Sequence, residues 1–186
     1  MIVKGSVLTT MALILISHAT AYSSDQPHPE TDWATQTALT KMHQTPCYGD
    51  INAEIGNVLS EIKLERGNYA WGGYEAFRLL QTPQDIRLLY CDGGSLRSVE
   101  LPPHEHRQLW STLETLDIWN LDSSLTYPCD DCSTFFIRVR KENQQHEIVV
   151  YAPNLLAKEP DTAVYWEIIQ AIEKLKQFIR KNLDSG

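Results

Sequence analysis

Between residues 134 and 151 apolar and polar side chains alternate along two short runs that face each other across a polar tip at 141–144. A period of two marks a half-buried strand, and a polar tip between two such runs predicts a hairpin. With Glu142 and Asn143 at the corner, Ile137 falls opposite Ile148, Phe135 opposite Val150 and Arg138 opposite Glu147, leaving one apolar and one charged face. A two-stranded ribbon is not stable alone in water, so this apolar face predicts further strands and a helical cover.

The rest of the chain supplies both. Ile62 and Leu64 alternate with Glu61, Lys63 and Glu65 as a strand would, after a short helix predicted over 51–58 with Asp50 as its cap. Three more strands are predicted at 74–81, 86–91 and 96–101, joined by turns at 82–85 and 92–95. Pairing across the first turn sets Leu79 against Leu88 and Phe77 against Tyr90; pairing across the second sets Leu88 against Val99, Ile86 against Leu101 and Arg87 against Glu100. Both turns point the same side chains of the middle strand inward, an agreement between independent local signals.

Pro102 and Pro103 end the last of these strands, and Pro103 or His104 can start a helix whose stripe is Leu109, Trp110, Leu113 and Leu116. His104, Glu105 and His106 are expected to form an exposed polar first turn. Residues 117–121 are expected to tuck two more apolar side chains under the exit. After an irregular stretch at 152–160, Asp161 or Thr162 can cap a final helix with the stripe Val164, Ile168, Ile169, Ile172, Leu175, Phe178 and Ile179; Lys174, Lys176, Arg180 and Lys181 gather toward its carboxyl end. The order predicts an α+β fold: an antiparallel sheet of about six strands, a meander plus a hairpin, with two helices packed on one face.

The amino-terminal stretch adds a location. Lys4, an apolar run from Val7 to Ile16 and the triplet Ala19-Thr20-Ala21 read as a secretory signal peptide over residues 1–21. Residues 22–46 are polar and aperiodic and read as a flexible leader, with one loose helical turn near 35–42; a single α+β domain is expected over 47–183. The mature chain would carry 15 basic against 24 acidic residues, a net charge of −9, which disfavours nucleic acid and anionic lipid as partners. The expected location is periplasmic or extracellular, with no membrane anchor after signal removal. In such a compartment four cysteines predict disulfides, and of the three possible pairings the reading favours Cys47 with Cys91 and Cys129 with Cys132.

Catalytic motifs are sparse. Cys129 and Cys132 have redox spacing, but they precede a strand rather than open a helix, and Asp130 and Asp131 between them oppose thiolate formation; a small structural disulfide is the stronger expectation. Cys47 and Cys91 lack zinc-ligand spacing, and His104 and His106, two residues apart, point to different sides of a helix, so no metal or other cofactor is expected. The chain holds no Gly-x-Ser-x-Gly, His-Glu-x-x-His or phosphate-loop motif, and its Ser, His and Asp residues show no spacing that singles out a triad. The best candidate contact surface is the loop Tyr69, Trp71, Gly72, Gly73 and Tyr74, since aromatics anchor interfaces and glycines let backbones approach. The competing expectation is that Trp71 and Tyr74 fold back onto the sheet edge.

The run from Ile62-Lys-Leu-Glu-Arg-Gly to Gly72-Gly73, then Val99-Glu-Leu-Pro-Pro-His-Glu-His-Arg, then the hairpin at 136–151 resembles a layout found in small bacterial domains, among them the emfourin-like metalloprotease inhibitors. The resemblance spans residues 60–151. It departs in the signal peptide, the cysteines and the final helix, and it transfers no functional residue. The resemblance implies binding or inhibition; together with the lack of a catalytic signature, the acidic charge and the aromatic loop, it gives as the expected function a secreted or periplasmic non-enzymatic protein that binds another protein, as an inhibitor or immunity-type factor would. The alternatives are a thiol-disulfide redox protein using Cys129 and Cys132, and a small-molecule binding domain with a deep apolar pocket on the free sheet face.

Overall fold

The computed structural model describes residues 29–68, 73–92, 94–126, 129 and 132–183. The expected signal peptide at 1–21 lies outside them. The strands are β1 (Ser60–Asn68), β2 (Tyr74–Gln81), β3 (Ile86–Cys91), β4 (Leu96–Glu100), β5 (Ser124–Leu125), β6 (Ser133–Lys141) and β7 (Gln144–Tyr151). They form one sheet in the order β4-β3-β2-β1-β6-β7-β5, antiparallel except for β5 against β7. The fold is α+β, as the alternation predicts. Every cross-strand pair anticipated between residues 86–90, 77–79, 88–100 and 135–150 is in register: Ile137 faces Ile148, Phe77 faces Tyr90, and Leu88 faces both Leu79 and Val99. Beyond β4, the Leu101 N–H donates to the Ile86 carbonyl at 2.8 Å. Glu142 turns the hairpin corner with φ of 56°.

The helices are α1 (Pro29–His43), α2 (Tyr48–Ile51), α3 (Pro103–Thr115), α4 (Pro153–Leu156), α5 (Ala163–Glu173) and α6 (Leu175–Leu183), with a 3-10 turn at Ile118–Asn120. The main core lies between one sheet face and α3, α5 and α6: Ile62, Leu64, Phe77, Leu88 and Ile137 meet Leu113, Ile168, Ile169 and Ile172. The predicted final helix is two, parted at Lys174. That residue keeps right-handed backbone angles, so the apolar stripe continues into buried Leu175 and Ile179.

Helices cover the other face too, and here the sequence reading needs correction. The stretch expected as a flexible leader contains α1, whose Ala38 and Met42 are buried against β1. A Cβ at Gly67 would stand 2.9 Å from Met42 Sδ, so the missing side chain is what lets this helix lie so close. The short helix is Tyr48–Ile51, capped at Cys47 rather than Asp50, and residues 52–59 hold no helix. Met42, Cys47 and Ile51 cover Ala76, Leu80, Leu89 and Cys91 on the second face. β2 is therefore buried on both sides, which its run Phe77-Arg78-Leu79-Leu80 reflects. The short strand β5 is too brief for alternation to reveal.

His106 is a further correction. It is 6% exposed, because residues 106, 109, 110 and 113 share one side of α3, while His104 points outward.

The sulfurs pair as expected, Cys47 with Cys91 and Cys129 with Cys132, and all four cysteines are used. The first bond ties the second-face cover to the end of β3 across a sequence separation of 44 residues. Replacing Cys47 and Cys91 together by Ala is expected to cost about 4 kcal/mol by loop entropy, against about 2 kcal/mol for Cys129 and Cys132. Urea unfolding of the two double variants measures the difference, and equal losses would contradict it.

Candidate functional site

Because β1 sits mid-sheet, its alternate side chains have no route to water, and Glu61, Lys63 and Glu65 are all buried on the face toward α1 and α2. The register sets Arg138 of β6, Lys63 of β1 and Arg78 of β2 side by side. Three adjacent cations repel one another, and the carboxylates placed one pleat above and below keep the row together. Glu61 accepts from Arg78 Nε at 2.7 Å and lies 3.3 Å from an Arg140 guanidinium nitrogen; Glu65 lies 2.6 Å from Lys63 Nζ. Glu65 also accepts from the Tyr74 hydroxyl at 2.8 Å and from Asn52 Nδ2 at 3.2 Å, while Lys63 donates to Asn52 Oδ1. A second arm of Arg78 donates to the carbonyls of Ile51 at 2.8 Å and Ala53 at 2.7 Å, where α2 ends.

Burial lowers the Lys63 pKa below the ordinary amine range; Glu65 opposes that shift, and Arg138 and Arg78 add to it. Burial first, then Glu65, raises the Tyr74 hydroxyl. A buried lysine of lowered pKa can serve as a nucleophile. This one is 5% exposed and enclosed by Asn52 and Glu65, so the cluster acts as a clamp between sheet and cover.

The end of β1 at Gly67 and Asn68, the start of β2 at Tyr74, the start of β6 and the end of β7 lie together at one end of the sheet, and the end of β3 joins them through the pair Ala76 and Cys91. Of the candidate contact residues, Tyr69, Trp71 and Gly72 lie outside the described residues. Gly73 is exposed, and a Cβ there would meet nothing within 4 Å. Tyr74 does not belong to a contact surface. It is 5% exposed, its ring lies 5.7 Å from that of Tyr48 and its hydroxyl is spent on Glu65. At the same end Cys129 and Cys132 are half-buried against Tyr151, Ala152 and Leu155, and the Tyr151 hydroxyl donates to the Cys129 carbonyl at 2.5 Å. β6 begins directly after Cys132, so the pair opens a strand and not a helix of its own.

At the opposite end of β1, Ser60 Oγ lies 3.0 Å from His106 Nε2, a nucleophile-to-base distance. Ser60 is 2% exposed, however, and the Trp110 indole N–H donates to the same His106 nitrogen at 3.0 Å. The lone pair a general base needs is already occupied. Sequence reasoning missed this pair; the available signal was that His106 continues the stripe of Leu109, Trp110 and Leu113.

The cavity between α3 and α5 is an open groove of about 390 Å³, with Ser111, Thr115, Trp166, Gln170 and Lys174 among its walls. It lies between helices, not on the sheet face where the alternative of a small-molecule binding domain would place a pocket. Among the described residues no three of His, Cys, Asp and Glu are gathered to hold a metal, and no helix is long and apolar enough to cross a membrane. No protein family and no curated protein matches this chain.

Glu61→Ala would strand the buried Arg78 guanidinium, with an expected loss of about 3 kcal/mol in urea unfolding. Replacing Glu61 and Arg78 together by Met is expected to cost less than the single change.

Proposed function

We propose that this chain is a binding protein of an oxidising compartment, the periplasm or the extracellular space, and that it docks another protein through residues 69–73, which join β1 to β2, and the loop closed by Cys129 and Cys132. The observation that carries this reading is that the end of β1, the starts of β2 and β6 and the end of β7 share one end of the sheet, with Gly73 exposed and Cys129 and Cys132 packed against Tyr151, on a scaffold tied by the Cys47–Cys91 bond. Loops gathered on a rigid sheet are where binding residues concentrate. Trp71 supplies the large aromatic that interface centres favour, and Gly72 and Gly73 let a partner backbone come near. The paired cysteines support the compartment, and the resemblance of the sequence pattern at 60–151 to emfourin-like inhibitors favours inhibition or immunity as the form the binding takes.

The test is a photo-crosslinking amino acid at Gly73, where added atoms meet no neighbour, in the otherwise intact chain exposed to an extract of the producing cell's envelope. One protein is expected to crosslink from position 73 and not from Gln144 at the opposite sheet end. Trp71→Ala is expected to reduce its yield about tenfold, the loss typical of an aromatic anchor. Equal crosslinking from both positions, or none from either, would overturn the reading.

A further inference from the structure

A group that can only donate fixes the protonation of its acceptor. The Trp110 indole nitrogen carries a hydrogen and cannot accept, and it donates to His106 Nε2 at 3.0 Å. That nitrogen is therefore bare, and the neutral ring carries its proton on Nδ1. Ser60 Oγ lies 3.0 Å from the same nitrogen and 3.0 Å from Gln81 Oε1. Adding a proton to Nε2 sets two N–H groups against each other. Ser60 already donates its own hydrogen to Gln81, so its oxygen can accept from the new N–H, and protonation exchanges Trp110 for Ser60 as the partner of Nε2.

We propose that Ser60, His106 and Trp110 form a pH-sensitive latch: neutral His106 holds the Trp110 indole, and protonated His106 turns to Ser60 and releases it. What it holds is α3 and the turn that follows. Trp110 stacks on Trp119 of the 3-10 turn, with ring centroids 6.1 Å apart and planes within 14°, and Lys141 of β6 lies 5.2 Å from the Trp110 centroid. Release of the indole loosens that stack.

The charged groups around the latch come from several elements. Lys141 is paired with Glu114 of α3 at 2.6 Å, Arg107 and Glu105 flank His106 on its own helix, and Glu105 pairs with His104. Glu142 follows Lys141 at the hairpin corner, next to Leu59, and the β2 contact, Gln81, is neutral. Glu167 of α5, Lys174 at the α5–α6 junction and Lys181 of α6 line the grooves along α3. Burial, then Lys141 and Arg107, hold the imidazole below its ordinary pKa, so the latch is closed at neutral pH. The unfolded chain takes up this proton near pH ~6.5 and the folded chain resists it. Stability is therefore full above that pH and declines as pH falls below it, down to the folded value.

Nuclear magnetic resonance of the intact chain tests the latch by following the Trp110 indole proton and the His106 ring proton from pH 8 to 4. Both are expected to titrate together, with a midpoint below the ordinary imidazole value. Trp110→Phe removes the donor that favours the neutral ring and is expected to raise the His106 midpoint. Ser60→Ala removes the acceptor that favours the charged ring and is expected to lower it. A merely structural contact has no reason to respond in opposite directions. Midpoints that shift the same way, or an indole proton indifferent to pH while His106 titrates, would overturn the proposal; if the Phe variant does not fold, the wild-type titration and Ser60→Ala still decide it.

Discussion

A strand with neighbours on both sides and helices on both faces has nowhere to send a charge, yet β1 carries three of them at alternate positions. Taking an ion pair out of water costs several kcal/mol per ion unless geometry and extra hydrogen bonds restore what water gave. Here they do so: Glu61 meets two guanidinium groups, and Glu65 meets an ammonium, a phenol and an amide. The arrangement also fixes register. Sliding β1 by one residue would drive Glu61, Lys63 and Glu65 into the apolar core and lift Ile62 and Leu64 out of it.

The cover on the second face follows from that layer. α2 is one turn long and has no side-chain cap, and an isolated helix the length of α1 is marginal in water. Neither would hold its shape alone. Arg78 binds the carbonyls where α2 ends, Asn52 joins Lys63 and Glu65, and the Cys47–Cys91 bond fixes the start of α2 to β3. Gly67 then gives α1 room to approach β1. The order of residues 38–53 thus comes from the sheet more than from their own composition.

This explains what the sequence made legible. Strand registers were readable because period-two alternation and turn residues are local, and Leu88 had to satisfy two partners at once. Helix stripes were readable wherever their apolar residues are numerous, as in α3 and α5. α1 was not, because its contact with β1 rests on Ala38, Met42 and the absence of a side chain at Gly67, none of which forms a stripe. The cover over the charged face of β1 left no mark in its pattern, since alternation reports that two faces differ and not which of them is covered. His106 was misread for a related reason: a histidine on an apolar stripe is identified as buried only when its partners are known, and Ser60 lies 46 residues away. At the candidate contact surface, Tyr74 looked like a neighbour of Trp71, but strand alternation turns it inward to Glu65.

The two ends of β1 consequently do different work, and the sheet keeps them apart. At the Gly67 end lie the start of β2, the start of β6 and the end of β7, with Cys129 and Cys132 packed against Tyr151; at the Ser60 end the polar contacts with His106 and Trp110 are sealed from solvent. Freeing Trp110 cannot push β1 along its axis, because its residues are paired on both sides with β2 and β6 and held by the charged layer. The effect of a proton on His106 must therefore spread sideways, through Trp119, Lys141 and Glu114, into α3 and the β6–β7 corner.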